Sequence, residues 1–268
     1  MNELTVTHVD DEVLARLVDS APPTSAVLTD DHRRSLTARF RAVPDPAHRR
    51  LDAWSVETAG RAPSDFRWTP AAARRTLATA ALRRMLPTPG LTLVGSVTQA
   101  LDAQVARAQT GQARAGSLAV WLDTLGSAAR GLVVAEAVGW AGAVLEVARG
   151  LEAPWNVAAS DAYYDVAGAR TTLRGRRDLE VARGDGLVVV RLRAGSPGTT
   201  AGAGLRVDLA VLALADSRGV APSRVIGWWP EAGVVLAVDG SMEGVRAGAR
   251  DLVRAAVVTR RHRLHLAA

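Results

Sequence analysis

The spacing of apolar positions along the chain changes character near residue 150. From 66 to 150 they recur every three or four positions, the period of helices packed by one face. Beyond 150 they alternate or run together, as in half-buried and fully buried strands. In the helical half, Thr69 followed by Pro70 combines an N-cap with a proline at the first helical position, and predicts a helix over 71–85. The same spacing predicts helices over 94–108, after a Gly95-Ser96 cap, over 118–125, and over 127–149. The last carries Val133, Ala137, Trp140, Val144 and Val147 near one face, with Gly150 as its cap.

Residues 1–65 are patterned more weakly. They predict short helices over 10–18, 30–43 and 47–56, broken at 21–23 and 44–46, with a linker at 60–64. In the strand half, alternation covers 155–166. Two β-type runs, 171–181 and 187–192, follow, joined by a turn holding Gly184, Asp185 and Gly186. A Gly/Pro/Ser/Thr loop over 194–203 leads to an apolar helix over 204–216 and strands at 225–229 and 234–238. A final helix over 241–260 starts at Ser241 with Glu243 nearby. The expected fold class is α/β (α+β), a small mixed sheet flanked by helices. Its segments are an N-terminal helical arm (1–65), a helical region packing on the core (66–150) and the α/β core (151–268).

Composition narrows the chemistry. The chain has 268 residues, and 48% hydrophobic with 22% charged is an ordinary globular balance. All 33 basic residues are arginine, so no lysine is available as a base, a Schiff-base former or a phosphate point charge. A net charge of +6 favours a polyanion or an acidic protein as partner. With Cys 0 there is no thiolate nucleophile and no disulfide framework, which fits a reducing cytoplasm. The acidic N-terminus does not read as a signal peptide. The most apolar segment, 131–148, is interrupted by Glu136 and Glu146, so no membrane partner is expected and the expected location is cytoplasmic.

The order of helix, β-meander, buried helix, strand pair and closing helix over residues 66–262 resembles the PD-(D/E)xK nuclease superfamily, in its RecB-type branch. Gly175-Arg176-Arg177-Asp178 matches that family's Gly-x-x-Asp strand, and the run from Val189 to Gly195 stands where an Asp-Tyr-Lys-Thr-Gly-like strand end would be. The resemblance implies a restriction-endonuclease-like core and metal-assisted phosphodiester hydrolysis, with carboxylates holding Mg²⁺ and a lysine helping to activate water.

The departures point away from that chemistry. Arg191 replaces the second carboxylate and Arg193 the lysine. Leu192 and Leu212 stand for tyrosines, Asp208 for a glutamine and Gln99 for a histidine. Arginine is a permanent cation that cannot ligate a metal. The expectation is therefore a vestigial site of Asp178, Arg191, Arg193, Glu180 and Glu136, in which Asp178 bridges Arg191 or Arg193. No catalytic residue, metal or other cofactor is expected. The chain reads as a pseudoenzyme that binds nucleic acid, DNA or RNA, or a protein on its helical face. Arg174, Arg176 and Arg177 beside the old cleft, and Arg246, Arg250 and Arg254 in a helical stripe, are the expected nucleic-acid contacts. Two alternatives stand beside this reading. One is a divergent Mg²⁺-dependent nuclease using Asp178, Glu180 and Glu136; the other is a scaffold subunit with no nucleic acid.

Overall fold

In the computed structural model the described residues are 3–7, 11–22, 25–43, 48–59, 67–85, 88 and 90–267; side chains of 3–7, 11 and 259–267 are left aside. The expected linker at 60–64 and the break at 44–46 lie outside them.

The chain starts with strand β1 (Glu3–Thr7), helices α1 (Asp11–Asp19) and α2 (Asp30–Arg41), strand β2 (Arg49–Leu51) and helix α3 (Ala53–Glu57). Helices α4 (Pro70–Met85), α5 (Leu93–Gln109), α6 (Leu118–Asp123) and α7 (Ser127–Arg149) follow. Then come β3 (Trp155–Val157), β4 (Ala162–Asp165), β5 (Thr171–Gly175), β6 (Leu179–Arg183), β7 (Gly186–Leu192), α8 (Ala201–Ala215), β8 (Arg224–Trp229), β9 (Val234–Asp239) and α9 (Met242–Ala267).

The fold is mixed α/β. A six-stranded sheet runs in the order β1-β9-β8-β7-β6-β3, and a three-stranded one in the order β2-β5-β4. β7 and β8 pair in parallel, as α8 between them requires; β6 with β7 and β8 with β9 pair antiparallel. Alternation along β7 gives the large sheet two apolar faces. Val188, Val190 and Leu192 join the core beneath α4, α5 and α7, and Val189 joins the core beneath α8 and α9. All six residues of β8 are buried, the signature of a central strand covered on both faces. Among the described residues α7 is long and apolar enough to cross a membrane. Here it packs on α4 and α5, with Val133, Ala137, Trp140 and Val144 inside the core.

The helix starts follow local chemistry. Thr69 Oγ1 accepts from Ala72 N at 3.2 Å and Ser241 Oγ from Gly244 N at 3.0 Å. The cap of α5 is Thr92, not Gly95-Ser96: its Oγ1 accepts from Gly95 N at 3.1 Å, three residues before the expected Gly95.

Three expectations are corrected. The run 171–181 is two strands in two sheets, β5 pairing with β2 and β4, and β6 with β3 and β7. The chain leaves the ladder at Arg176, whose N–H donates to the side chain of Asp208 on α8 at 2.9 Å. Gly175 marks the crossing, since a Cβ there would meet Val211 Cβ at 3.1 Å. The helix expected over 47–56 is instead strand β2 followed by α3. Arg49 is drawn into the small sheet, donating to Thr171 Oγ1 at 2.9 Å, and Asp52 starts α3 with a reciprocal capping box to Ser55. The sheet is also larger than expected, because residues 3–7 form an edge strand along β9.

Candidate functional site

The site is built where β6, β7 and α8 meet, on the α8 side of the large sheet. Arg191 on β7 and Arg193, one residue past its end, share a face with Val189 because side chains alternate. Asp178 sits just before β6, and Asp208 projects from the middle of α8. Within that helix Leu205, Val207, Leu209 and Val211 are fully buried.

Arg191 lies between the two acids, with 1% of its surface exposed. Its Nε donates to Asp178 Oδ2 at 3.3 Å and its Nη1 to Asp208 Oδ2. The main chain completes both acceptors: Leu192 N donates to Asp178 Oδ2 at 2.9 Å, and Arg176 N to Asp208 Oδ1 at 2.9 Å. Burial pushes the Asp208 carboxyl up to about 6, against the pull of Arg191 and the Arg176 N–H. Burial also disfavours charge on Arg191, but Asp208 and Asp178 outweigh it and hold the guanidinium above its ordinary value. At neutral pH the cluster is a buried ion triad, with Arg191 held by both carboxylates.

Arg193 does not reach Asp178, correcting the second of the two expected bridges. Residues two apart on a strand are about 6.6 Å apart along it, so only one arginine can meet that carboxylate. Arg193 Nη2 instead donates to Glu57 of α3 at 2.6 Å, with its guanidinium 5.5 Å from the centre of a Trp229 ring. Arg75 on α4 closes the other side, its Nη1 donating to Leu192 O at 3.1 Å. Burial lowers its pKa to about 10, and the charge of Asp178 opposes the shift.

The remaining predicted residues are not drawn into the triad. Glu180 accepts from Arg177 Nη1 at 2.6 Å. Glu136 lies on α7, across the large sheet, 3.5 Å from Arg74. Arg174 donates to Asp161 Oδ2 through Nε at 2.8 Å and Nη2 at 2.5 Å, and Arg83 reaches the other oxygen at 3.3 Å. Arg176 is 3.9 Å from Asp52. The three arginines expected to line a nucleic-acid cleft are thus neutralised within the fold. By contrast Arg246, Arg250 and Arg254 stand exposed on α9. Arg246 lies 3.1 Å from His32 Nε2, and Arg254 lies 3.6 Å from Asp251 with 77% of its side chain exposed. Among the described residues no group of three or more His, Cys, Asp or Glu is placed to hold a metal.

Sequence reasoning treated Asp208 only as a stand-in for a family glutamine, and passed over Glu57, Asp161 and Arg75. A lone acid in an otherwise apolar helix was the available signal for Asp208. Glu57, Asp161 and Arg75 carried none, since their partners lie 136, 13 and 117 residues away.

The ion pair at Asp161 carries a testable consequence. Although burial opposes it, Arg174 holds the Asp161 carboxyl below its usual range. A depressed acid stabilises the fold above its unfolded pKa, and that stability is lost as pH falls through the folded value. Arg174→Gln is therefore expected to lower stability by about 2 kcal/mol at pH 7 and by less near pH 3, as read by urea unfolding at both pH values.

Comparison of the chain with family models, with curated proteins and with solved structures finds no match.

Proposed function

We propose that this chain is a non-catalytic, nuclease-like α/β module that binds nucleic acid through the exposed arginine row of α9. The observation that carries the reading is Arg191, a fixed cation buried between Asp178 and Asp208 where the resemblance expects a divalent metal. Mg²⁺ would have to displace a guanidinium held by both carboxylates. The order of α7, the meander β3-β6-β7, α8, the pair β8-β9 and α9 supports the resemblance. The net charge of +6 and the solvated Arg246, Arg250 and Arg254 support a polyanion as partner.

A fluorescent DNA duplex titrated at two salt concentrations tests this. Affinity is expected to fall steeply with salt. Reversing all three arginines to glutamate should flatten the log–log slope by about 2.7, the release expected for three phosphate contacts. Incubation with Mg²⁺ or Mn²⁺ should yield no cleavage product. Cleavage that disappears in Asp178→Ala would overturn the reading in favour of a working nuclease.

A protein partner on the helical face is the second reading. It is favoured by Leu132 and Val94, which are 67% and 57% exposed there. Salt-insensitive behaviour together with an absence of DNA binding would move the choice to it.

A further inference from the structure

A groove of about 450 Å³ opens between the edge of the small sheet and the loop that leads from α8 into β8. Tyr163 of β4 forms part of one wall and Ser217 and Arg218 part of the other, with Leu187, Leu212 and Ala221 among the apolar residues between them. This volume lies within the range of small-molecule sites, roughly 300–1,000 Å³, and its exposed lining is more polar than apolar.

Two residues on the groove keep surface for a ligand. Tyr163 is 50% exposed, and its only ring contact among the described residues is Arg50, 5.8 Å from the centroid. The Arg218 guanidinium has no ion pair or hydrogen bond among the described residues, although its main-chain N–H donates to Asp216 Oδ1 at 2.9 Å. The acids nearby do not claim it. Asp216 is turned onto its own loop, accepting also from Val220 N at 3.2 Å, and Asp185 belongs to the tight turn between β6 and β7. Arg177, also on the groove, is occupied by Glu180 and by Ser160 O.

A half-exposed ring and a guanidinium unpaired among the described residues, both lining one groove, match the two parts of a nucleotide unit: base on ring, phosphate on cation. We propose that this groove takes a single unpaired nucleotide of a nucleic-acid strand, its base against Tyr163 and its phosphate on Arg218. The proposal rests on the nucleic-acid reading above but uses a different surface from the α9 row. It requires a single strand or a frayed end, because a base held in a duplex must first be unstacked and unpaired.

The test measures fluorescence anisotropy of a labelled oligo-dT of about 12 nucleotides, a length in the usual range for one single-strand site. A blunt duplex of similar size runs in parallel. Tyr163→Ala is expected to weaken oligo-dT binding roughly 5- to 150-fold, the loss of one stacked base, with duplex affinity unchanged. Tyr163→Phe, which keeps the ring, should restore it, and this separates stacking from any change in folding. Arg218→Ala should weaken the single strand in the same selective way. If Tyr163→Ala and Arg218→Ala bind oligo-dT as the parent does, while reversal of the α9 row abolishes binding, the groove proposal falls and the α9 reading stands. If the parent chain binds neither probe, both fall.

Discussion

Arg191→Met is expected to destabilise the protein by about 3–5 kcal/mol at neutral pH, the largest loss anticipated from any substitution at the site. The methionine fills much of the same volume, so the effect is electrostatic. It strands Asp178 and Asp208, which are 5% and 0% exposed, without their shared cation. Urea unfolding across pH provides the check, and the sign follows from linkage. Asp208 already titrates high, at about 6, because of its burial. An acid raised above its unfolded pKa gives stability that is full below the unfolded value and lost as pH rises through the folded one. Removing Arg191 takes away the main force opposing that rise. The deficit should therefore shrink on acidification toward pH 4 and be widest above pH 7. Adding Asp178→Asn and Asp208→Leu to Arg191→Met should recover much of the loss, since a whole buried ion cluster can be exchanged for neutral groups at little net cost. A deficit below about 1 kcal/mol that ignores pH would mean the acids find other partners, and the account of Arg191 as their shared cation would fail with it.

Gly248→Ala is expected to lower stability by about 2 kcal/mol or more, although alanine is the better helix former. At a solvated helix position the exchange gains roughly 1 kcal/mol. Gly248, however, is where α9 lies against the backbone of α8. A Cβ there would overlap the Arg206 carbonyl and sit 3.0 Å from Val207 N. Backbone cannot swing aside as a side-chain end can, so the helices must part, and overpacking of this kind typically costs 1–3 kcal/mol beyond the lost propensity gain. Gly244, one turn earlier, is nearly as confined, with Leu209 Cδ2 at 3.1 Å from the same kind of Cβ. Gly139 on α7 is the control. Nothing lies within 4 Å of a Cβ built there, so Gly139→Ala should stabilise by roughly 0.5–1 kcal/mol. Thermal unfolding of the two variants side by side should show opposite shifts. Equal upward shifts would contradict the close packing of α8 on α9.

The triad and the α8–α9 contact serve the same end. Arg191 ties β7 to both α8 and the entry of β6, so the buried ion pair is also a structural crosslink. The neighbouring arginines are likewise held: Arg193 by Glu57, Arg174 by Asp161 and Arg177 by Glu180. The row Arg246, Arg250 and Arg254 on α9, by contrast, is exposed.

Some of this was legible in the chain itself. The helical period over 66–150 located α4, α5, α6 and α7 to within a few residues. The unbroken apolar runs marked β7, β8 and β9 as covered strands, because a strand buried on two faces has no solvent side to keep polar. Alternation alone put Arg191 and Arg193 on one face, and the expectation was an ion pair of Asp178 with one or the other. Tertiary structure decided what local pattern could not. The break at Arg176 depends on a hydrogen bond to Asp208, 32 residues on, and β2 forms because Arg49 finds Thr171 across 122 residues. Which acid answers which arginine follows from where α3, α4 and α8 come to rest against the sheet. Periodicity reports the face a residue shows, since that depends only on its near neighbours; the partner across that face is set by packing between segments distant in the chain.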